Sequence, residues 1–475
     1  MATGGKEREA RPDADADAAA VDYGKTAGFL SIGVGLTGVI TYAYFLIASH
    51  TLGKVEYGEI AVLWSAVFIT VSTLYRPIDQ YLSRHVSEHL AQGHAIGEPL
   101  RVAAKIQLAL ALAFAAVALI FRDPLQNDLL SGDETLYWVF FGAVLGYAAS
   151  YYARGYLAGI RSFGLFSILI LSESIFRTSF AVIVAVGLLS GQDVVAMGIV
   201  AAPCLSLVVV PAAFLRRARK ANPPPASPEP VAGGGDSAAP EMSLAHGTGF
   251  AAAVLLIMLS EQTFLNAGPL LIRATEGAAA AGFIFNVLMI ARAPLQLFQA
   301  VSTSLLPHLT DLHTGSEDES GEAFRRSIRM VNLAIAGFTA VVAAAVLIAG
   351  PQLMELAFSG KFEYDRVGLL IVTAGMGLYL ASVTVNQACL AQGKVKIAAA
   401  AWITCAALFV VWNLVPLVDD EFRRTEIGFT VAAAALLAAL YVIYRRPADG
   451  DDDVPREGST HELELRLMRA DEAAP

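Results

Sequence analysis

The polar side chains best suited to binding a ligand lie within a long apolar segment in the second half of the chain. Four of them are spaced so that they share one face of a helix, namely Arg292, Gln296, Gln299 and Thr303. A guanidinium pairs well with phosphate or carboxylate, and amides and hydroxyls form hydrogen bonds with uncharged polar groups. Pro294 lies in the same stretch, where it would kink the helix and free backbone carbonyl groups. The stripe predicts a water-filled cavity for a polar ligand, or else a face that packs on other helices through hydrogen bonds.

A second polar stripe begins at the end of the second apolar segment. Its members share one helical face, namely Arg76, Asp79, Ser83 and Ser87. Arg76 is a candidate ligand contact, and Asp79 is a candidate for charge balance or for binding a coupling ion. The alternative for Arg76 is a simple pair with Asp79 near the membrane interface, where a long basic side chain extends to water.

A third polar group lies in the apolar segment that precedes Pro269, and it comprises Glu261, Gln262 and Asn266. A charge at the bilayer centre costs about 2.5–3.5 kcal/mol on insertion scales, so a mid-span acid predicts a functional site. Glu261 can carry a proton or a coupling cation, or it can neutralise Arg292. Asn266 is a candidate contact for ligand hydroxyl groups.

The remaining polar pairs favour structural roles. Glu173 and Arg177 are four residues apart with the acid first, the favourable order for an ion pair within one helix. His85 and His89 have the spacing of a metal-binding pair, but no third ligand accompanies them, and we predict no metal site. The sequence has no glycine-rich phosphate loop after a strand and no Ser/His/Asp motif. We therefore expect neither an enzyme nor a bound cofactor.

The elements that position these residues are apolar segments. Hydrophobic residues make up 56% of the chain, charged residues make up 16%, and the mean hydropathy is +0.56. Soluble chains carry about 25% charged residues, and a membrane-spanning helix needs about 20 mostly apolar residues. Twelve segments qualify: 27–48, 57–76, 102–121, 135–153, 164–189, 193–215, 248–272, 278–305, 328–349, 366–391, 395–415 and 427–445. Because helices satisfy their own backbone in lipid, the predicted fold is all-α with twelve transmembrane helices.

Positive charge predicts the orientation of these helices. With a cytoplasmic N-terminus, 24 of the 33 Lys and Arg residues fall in cytoplasmic segments and 7 fall in outer loops. This asymmetry follows the positive-inside rule and places both termini in the cytoplasm. Residues 1–24 show no basic start followed by an apolar core, so we expect no cleavable signal peptide.

The loops divide the helices into two halves of six. Residues 216–247 contain the runs PPP and GGG, which predict a flexible cytoplasmic linker. The phrases LAGIR at 157–161 and LAQGK at 390–394 fall at equivalent turns of the two halves, as expected of pseudo-symmetric lobes that rock against each other. The predicted organisation is a disordered cytoplasmic tail, an N-lobe, the linker, a C-lobe and an acidic cytoplasmic tail, at 1–24, 25–215, 216–247, 248–446 and 447–475.

Three phrases of the chain resemble the polysaccharide-transporter branch of the multidrug/oligosaccharidyl-lipid/polysaccharide (MOP) flippase superfamily, which comprises the flippases of O-antigen and capsular repeat units. The likeness extends over about residues 25–446. The phrases are LGKVEYG at 52–58, RAPLQLFQA at 292–300 with LPHL at 306–309, and NQACLAQG at 386–393.

The resemblance implies two MATE-like six-helix lobes in a V around a cavity lined by helices one, two, seven and eight. Arg292 and Arg76 match the basic cavity positions that bind a lipid-linked diphosphate, and Gln296, Gln299 and Asn266 would contact sugar. The implied function is moving undecaprenyl-diphosphate-linked oligosaccharide across the bacterial cytoplasmic membrane, by alternating access, for surface polysaccharide synthesis. The implied partners are this substrate, membrane lipids and the polymerase or glycosyltransferase machinery, without nucleic acid.

Three other functions stay open. A MATE-like drug or metabolite antiporter requires an essential membrane acid. A lipid II flippase is disfavoured, because those proteins have fourteen spans and extra basic residues in the first helix, whereas this chain has no charge between Ala27 and Ser49. A non-transporting scaffold of a cell-envelope polymer machine needs neither Arg292 nor Glu261.

Overall fold

The structure is a computed structural model that describes residues 33–211, 244–292, 317–358 and 364–446. No strand occurs in these ranges, and the described part of each of the twelve apolar segments overlaps one helix, which confirms the all-α prediction. A short helical turn and a π-helical turn, Arg122–Pro124 and Leu125–Leu129, follow α3, and a 3-10 turn, Leu207–Val209, follows α6. The helices are α1 Gly33–Thr51, α2 Lys54–Ala91, α3 Gly97–Ile120, α4 Glu134–Gly159, α5 Phe163–Ala185, α6 Gln192–Ser206, α7 Leu244–Glu276, α8 Ala278–Arg292, α9 Glu317–Phe358, α10 Arg366–Ala391, α11 Val395–Leu414 and α12 Glu421–Arg445.

Ten helices of the described residues are long and apolar enough to cross a membrane, so the chain is a multi-pass membrane protein. The other two are α4 and α8. Helix α8 is short because its described part ends at Arg292. Helix α4 is long enough but carries five tyrosines, and more than half of its residues are buried between α2, α6 and other elements. A helix enclosed by protein needs less apolar surface than one that faces lipid.

Two arginines expected beside helix ends lie in helix interiors. Helix α2 continues through Pro77 to Ala91, so Arg76 and Asp79 fall within it. Helix α4 continues to Gly159, so Arg154 lies in the helix rather than in the following loop. The predicted segment ends at 76 and 153 are therefore too early for the helices, because apolar composition falls off before the helical backbone ends.

The two echoed phrases form equivalent turns, with a shift of one residue. The N–H groups of Ser162 and Lys394 each donate to a carbonyl five residues earlier, at 2.9 and 3.0 Å. Such helix ends place one residue in the left-handed region. That residue is Arg161 (φ 53°) after α4 and Gly393 (φ 77°) after α10. Arg161 thus corresponds in structure to Gly393, whereas aligning the phrases LAGIR and LAQGK would pair Arg161 with Lys394.

The two halves repeat one pattern of helix contacts. In the N-lobe, α4 packs on α3 and α6, α5 packs on α6, and α1 contacts α5 through the hydrogen bond between Thr41 and Arg177. In the C-lobe, α10 packs on α9 and α12, α11 packs on α12, and α7 packs on α11. Adding six to each helix number converts the first set into the second, as two pseudo-symmetric lobes require.

The apolar cores show where the lobes meet. One core contains side chains of both lobes, from α1, α2, α4, α5 and α6 and from α7, α8, α9 and α10. It lies toward the end of the bundle at which α2 and α8 begin, which we call the joined end. Toward the opposite, separate end, the N-lobe and the C-lobe have distinct cores. We interpret this arrangement as two lobes that meet at one end and diverge toward the other.

A close backbone contact holds the joined end together. Gly58 of α2 lies against Ala278, and a Cβ at Gly58 would stand only 1.8 Å from the Ala278 carbonyl oxygen. Gly282 of α8 lies against the Gly58 backbone in the same way, with 2.9 Å between an added Cβ and the Gly58 Cα. Beside this contact the Tyr57 hydroxyl donates to the side-chain oxygen of Asn286. Only glycine allows two helices to approach this closely.

Candidate functional site

An ion pair joins the two lobes below the joined end. The Arg76 Nη1 atom of α2 lies 3.5 Å from the Glu261 Oε2 atom of α7. The Arg76 side chain is 44% exposed and the Glu261 side chain is 15% exposed, so the acid is largely enclosed while the arginine is accessible. The structure therefore brings Glu261 to Arg76, whereas the sequence suggested Arg292 as one partner for this acid.

Two further side chains face this pair. Arg292 of α8 donates from Nη1 to the Leu265 carbonyl of α7 at 3.4 Å, one helical turn from Glu261. Tyr379 of α10, which is 5% exposed, lies within electrostatic reach of Glu261, Arg76 and Arg292. Four helices thus converge through these side chains, with α2 from the N-lobe and α7, α8 and α10 from the C-lobe. We call Arg76, Glu261, Arg292 and Tyr379 the interlobe cluster.

Other predicted site residues occupy different positions. Gln296, Gln299, Thr303 and Pro294 lie outside the described residues. Asn266 is buried, and its amide donates to the Gln262 side-chain oxygen at 3.0 Å. This bond engages Asn266 within α7, so its contact with a ligand stays a prediction.

Asp79 connects the cluster to a second set of charges. Its carboxylate interacts electrostatically with Arg154 of α4 and, more weakly, with Arg76. The Asp79 carbonyl and the Gly155 backbone are in close contact, which brings α2 and α4 together at this level. Asp79 thus lies near an arginine of each set, and its role in charge balance or in binding a coupling ion stays a prediction.

The second set of charges is enclosed within the N-lobe. Arg154 Nη2 donates to Glu173 Oε2 at 2.5 Å, and the Ser150 hydroxyl donates to the same oxygen at 3.1 Å. Arg177 lies farther from this acid, with 3.9 Å between Nη1 and Glu173 Oε1. The pair predicted from the sequence is present, but Arg154 supplies the shorter contact.

The Arg177 guanidinium is surrounded by protein groups. It is 2% exposed and donates to the Thr41 hydroxyl at 2.8 Å and to the Tyr147 hydroxyl at 3.3 Å. It also lies over the Trp64 ring, 4.5 Å from its centroid, where a cation is attracted by the ring face. These contacts give the buried charge an acid, two hydroxyls and an aromatic ring, so we assign it a structural role. We call Arg154, Glu173 and Arg177 the N-lobe network.

Two of these residues, Arg154 and Tyr379, were missed by the sequence analysis. Arg154 follows a run of mostly apolar and aromatic residues, and the absence of proline between residues 134 and 163 was the available signal that the helix continues through it. Tyr379 gave no signal, because a tyrosine in an apolar segment is ordinarily a core or interface residue. Neither partner could be assigned from spacing, since Arg154 lies 19 residues from Glu173.

The histidine pair makes local contacts. His85 Nδ1 lies 2.9 Å from Glu88 Oε2, and His89 Nδ1 lies 2.9 Å from the His85 carbonyl. Among the described residues, no group of three His, Cys, Asp or Glu side chains is arranged to hold a metal ion.

A cavity of about 540 Å³ lies at the joined end, between the starts of α2, α8, α10 and α12. Its charged groups bind one another, with Arg423 Nη2 2.7 Å from Asp365 Oδ2 and Arg423 Nη1 3.2 Å from Glu426 Oε2. The hydrogen bond from Arg423 is the main reason that the pKa of Asp365 lies below its ordinary value. Asp420 accepts from the Phe422 and Arg423 N–H groups and caps α12. These interactions account for four of the cavity's charged residues as helix-end contacts, namely Asp365, Asp420, Arg423 and Glu426.

Solved transporter structures share this fold. An inward-facing multidrug resistance MATE family transporter of the MOP superfamily is 11% identical, with 92% of this chain and 96% of that chain covered and a TM-score of 0.61. An outward-facing structure of such a transporter is 13% identical, with 95% and 97% covered and a TM-score of 0.55. The MATE transporter ClbM in complex with Rb⁺ is 14% identical, with 93% and 97% covered and a TM-score of 0.56.

The chain therefore has the fold of MATE transporters of the MOP superfamily, which confirms the architecture implied by the resemblance. The polysaccharide branch stays a prediction. No family model matches the sequence, and no curated protein matches it.

Proposed function

We propose that this protein is a flippase for oligosaccharides linked to a polyprenyl diphosphate in the bacterial cytoplasmic membrane. The diphosphate binds between the lobes, the sugar occupies the cleft, and the lipid tail stays in the bilayer. Alternating access exposes the site first to the cytoplasm and then to the outer side. The positive-inside pattern supports assigning the separate end and both termini to the cytoplasm.

The observation that carries the proposal is that Arg76 and Arg292, from different lobes, reach the same part of α7, where Arg76 pairs with Glu261 and Arg292 donates to the Leu265 carbonyl one turn away. Arginine is suited to phosphate because its planar guanidinium can donate two parallel hydrogen bonds. The charges of the interlobe cluster, of Asp79 and of the N-lobe network sum to +1, from Arg76, Arg154, Arg177 and Arg292 against Asp79, Glu173 and Glu261. A net positive interior favours an anionic headgroup over a cationic one.

The membrane potential supports export of such a headgroup. Moving one charge across 100 mV is worth about 2.3 kcal/mol. A diphosphate with roughly two negative charges that leaves a negative cytoplasm gains about twice that amount, so the flippase needs no ATPase domain.

Reconstituted vesicles provide the test. The substrate is a short polyprenyl diphosphate that carries a fluorescent disaccharide, and a membrane-impermeant quencher reports the label in the outer leaflet. We expect Arg292→Ala and Arg76→Ala to slow translocation about tenfold or more, since hydrogen bonds to charged groups contribute about 1.5–3 kcal/mol. Arg122→Ala is the matched control, because Arg122 pairs with Glu134 on the surface. Full translocation by Arg292→Ala would contradict the assignment of Arg292 to the diphosphate site, and failure of the wild type to move the probe would favour a non-transporting scaffold.

A second candidate is a MATE-like antiporter of cationic drugs or metabolites. The observation that favours it is Glu261, an acid largely enclosed between the lobes. The same vesicles distinguish the two functions. An antiporter would transport a cationic amphiphile, would require Glu261 and a proton or Na⁺ gradient, and would not move the diphosphate probe. This result would favour the antiporter over the flippase.

A further inference from the structure

We infer that Glu261 competes with the anionic ligand for Arg76: Glu261 pairs with Arg76 and is displaced from it when a diphosphate binds. The inference rests on the proposed function, because it concerns the anion site of the flippase. It assigns Glu261 to ligand selection, in place of the role in proton or cation coupling suggested by its sequence position.

The geometry of the interlobe cluster supports this assignment. Glu261 offers Arg76 a single contact at 3.5 Å, and Arg76 stays 44% exposed, so the pair is loose and accessible. The Arg154–Glu173 pair of the N-lobe network is shorter, at 2.5 Å, and both network pairs are more buried. Loose and partly exposed ion pairs are weak, and an incoming ligand can replace them.

The chemistry of the competitor sets a threshold for the ligand. A carboxylate brings one negative charge to Arg76, whereas a diphosphate brings about two charges and more acceptor oxygens. In the structure, Arg292 donates to the Leu265 carbonyl rather than pairing with Glu261. A diphosphate placed near Tyr379 can interact with Arg292 as well as with Arg76. The Glu261 carboxylate thus keeps weakly binding anions away from Arg76, and it is displaced by ligands that bind both Arg76 and Arg292.

Because Arg76 and Glu261 belong to different lobes, the exchange also couples binding to movement. The ion pair links α2 to α7 in the structure. A ligand that takes Arg76 from Glu261 removes one interaction that holds the lobes in the observed arrangement. The ligand therefore replaces the Arg76–Glu261 pair by its own contacts with Arg76 and Arg292, and so changes which interactions join the two lobes.

The test measures the affinity of the full-length protein in detergent for inorganic pyrophosphate, by calorimetry at constant ionic strength. We expect Glu261→Gln to bind pyrophosphate about tenfold more tightly than the wild type, the factor equivalent to about 1.4 kcal/mol. Glu276→Gln is the matched control, since it removes the same charge from an exposed position at the joined end and should leave the affinity unchanged.

A double-mutant cycle separates competition for Arg76 from a general effect of charge. In the Arg76→Gln background, Glu261→Gln should improve the affinity by less than twofold, because the contested guanidinium is absent. An improvement of the same size in both backgrounds would overturn the inference and leave the flippase proposal standing. Failure of both the wild type and Glu261→Gln to bind pyrophosphate would overturn the inference and the proposed anion site together.

Discussion

The N-lobe network and the interlobe cluster are both built from arginines and an acid, yet they differ in how completely protein groups surround the charges. In the network, Glu173 and Arg177 are almost wholly buried, and Arg154 reaches Glu173 at 2.5 Å. In the cluster, the ion pair is 3.5 Å long and Arg76 is 44% exposed. A buried charge with many partners stabilises one arrangement of helices, whereas an accessible charge with one loose partner can exchange that partner for a ligand.

This difference also follows the architecture. The network lies inside one lobe, where α5 contacts both α1 and α4, so movement of that lobe as a rigid body would leave the network unchanged. The cluster joins α2 to α7, whose relative position must change if the lobes rock. Tight pairing across that boundary would oppose movement, and loose pairing permits it.

The largest effect is expected from removing the acid of the network. Glu173→Gln removes the carboxylate that pairs with Arg154 and with the buried Arg177, and breaking such a buried pair costs about 3–5 kcal/mol. Glu261→Gln makes the same chemical change in the cluster, where Arg76 can turn to water. Thermal denaturation of the purified proteins should show a strongly destabilised Glu173→Gln variant and a nearly unchanged Glu261→Gln variant. Equal destabilisation of the two would show that the two sets of charges do not differ in role.

The next effect concerns the boundary between the lobes. Gly58→Ala places a methyl group against the Ala278 carbonyl oxygen, and relief requires α2 and α8 to separate. We expect the joined end to open while the N-lobe network stays intact. After replacement of the three native cysteines, spin labels at Asp128 and Glu276 should report a longer distance in the variant.

Gly38→Ala is the matched control for this experiment, because no atom lies within 4 Å of a Cβ at Gly38. It should leave the distance between the labels unchanged. If the distance between the labels were unchanged in Gly58→Ala, the glycine contact would not be what holds the lobes together at the joined end.

The sequence was sufficient to predict the helices, but it was insufficient to predict which charged side chains pair with one another. Apolar length predicts each helix, and mid-span charge identifies Glu261 and Arg292, because both rules act within one segment. The pairing of Glu261 with Arg76 links residues far apart in the chain, so no spacing rule could assign it. Tyr379 and Arg154 were missed for the same reason, since their roles depend on residues of other helices. Burial distinguishes the network from the cluster, and burial appears only when the helices are assembled.

A pair of tyrosine substitutions sharpens the comparison with a smaller effect. Tyr379→Phe removes a hydroxyl from the interlobe cluster, and Tyr147→Phe removes the hydroxyl that accepts from Arg177 in the N-lobe. A net hydrogen bond contributes about 1 kcal/mol, or roughly fivefold in an equilibrium. We expect Tyr379→Phe to weaken pyrophosphate binding without changing the melting temperature, and Tyr147→Phe to lower the melting temperature without changing the binding. If instead Tyr379→Phe lowered the melting temperature and Tyr147→Phe weakened pyrophosphate binding, the roles assigned to the interlobe cluster and the N-lobe would be reversed.

The smallest effect is expected at an exposed pair, which shows what pairing contributes without burial. Asp365 binds Arg423 at 2.7 Å but is 56% exposed, and Arg423 holds the pKa of Asp365 below its ordinary value of 3.8. Because the folded-state pKa is depressed, its contribution to stability is present above the unfolded-state pKa and is lost as the pH falls through the lower, folded-state pKa. Asp365→Asn keeps a side chain that can cap α10 and removes the charge. The variant should melt slightly below the wild type at pH 7, and the difference should vanish at a pH below the depressed pKa. If Asp365→Asn lowered the melting temperature at pH 7 as much as Glu173→Gln does, burial would not be the property that distinguishes the N-lobe network from accessible ion pairs.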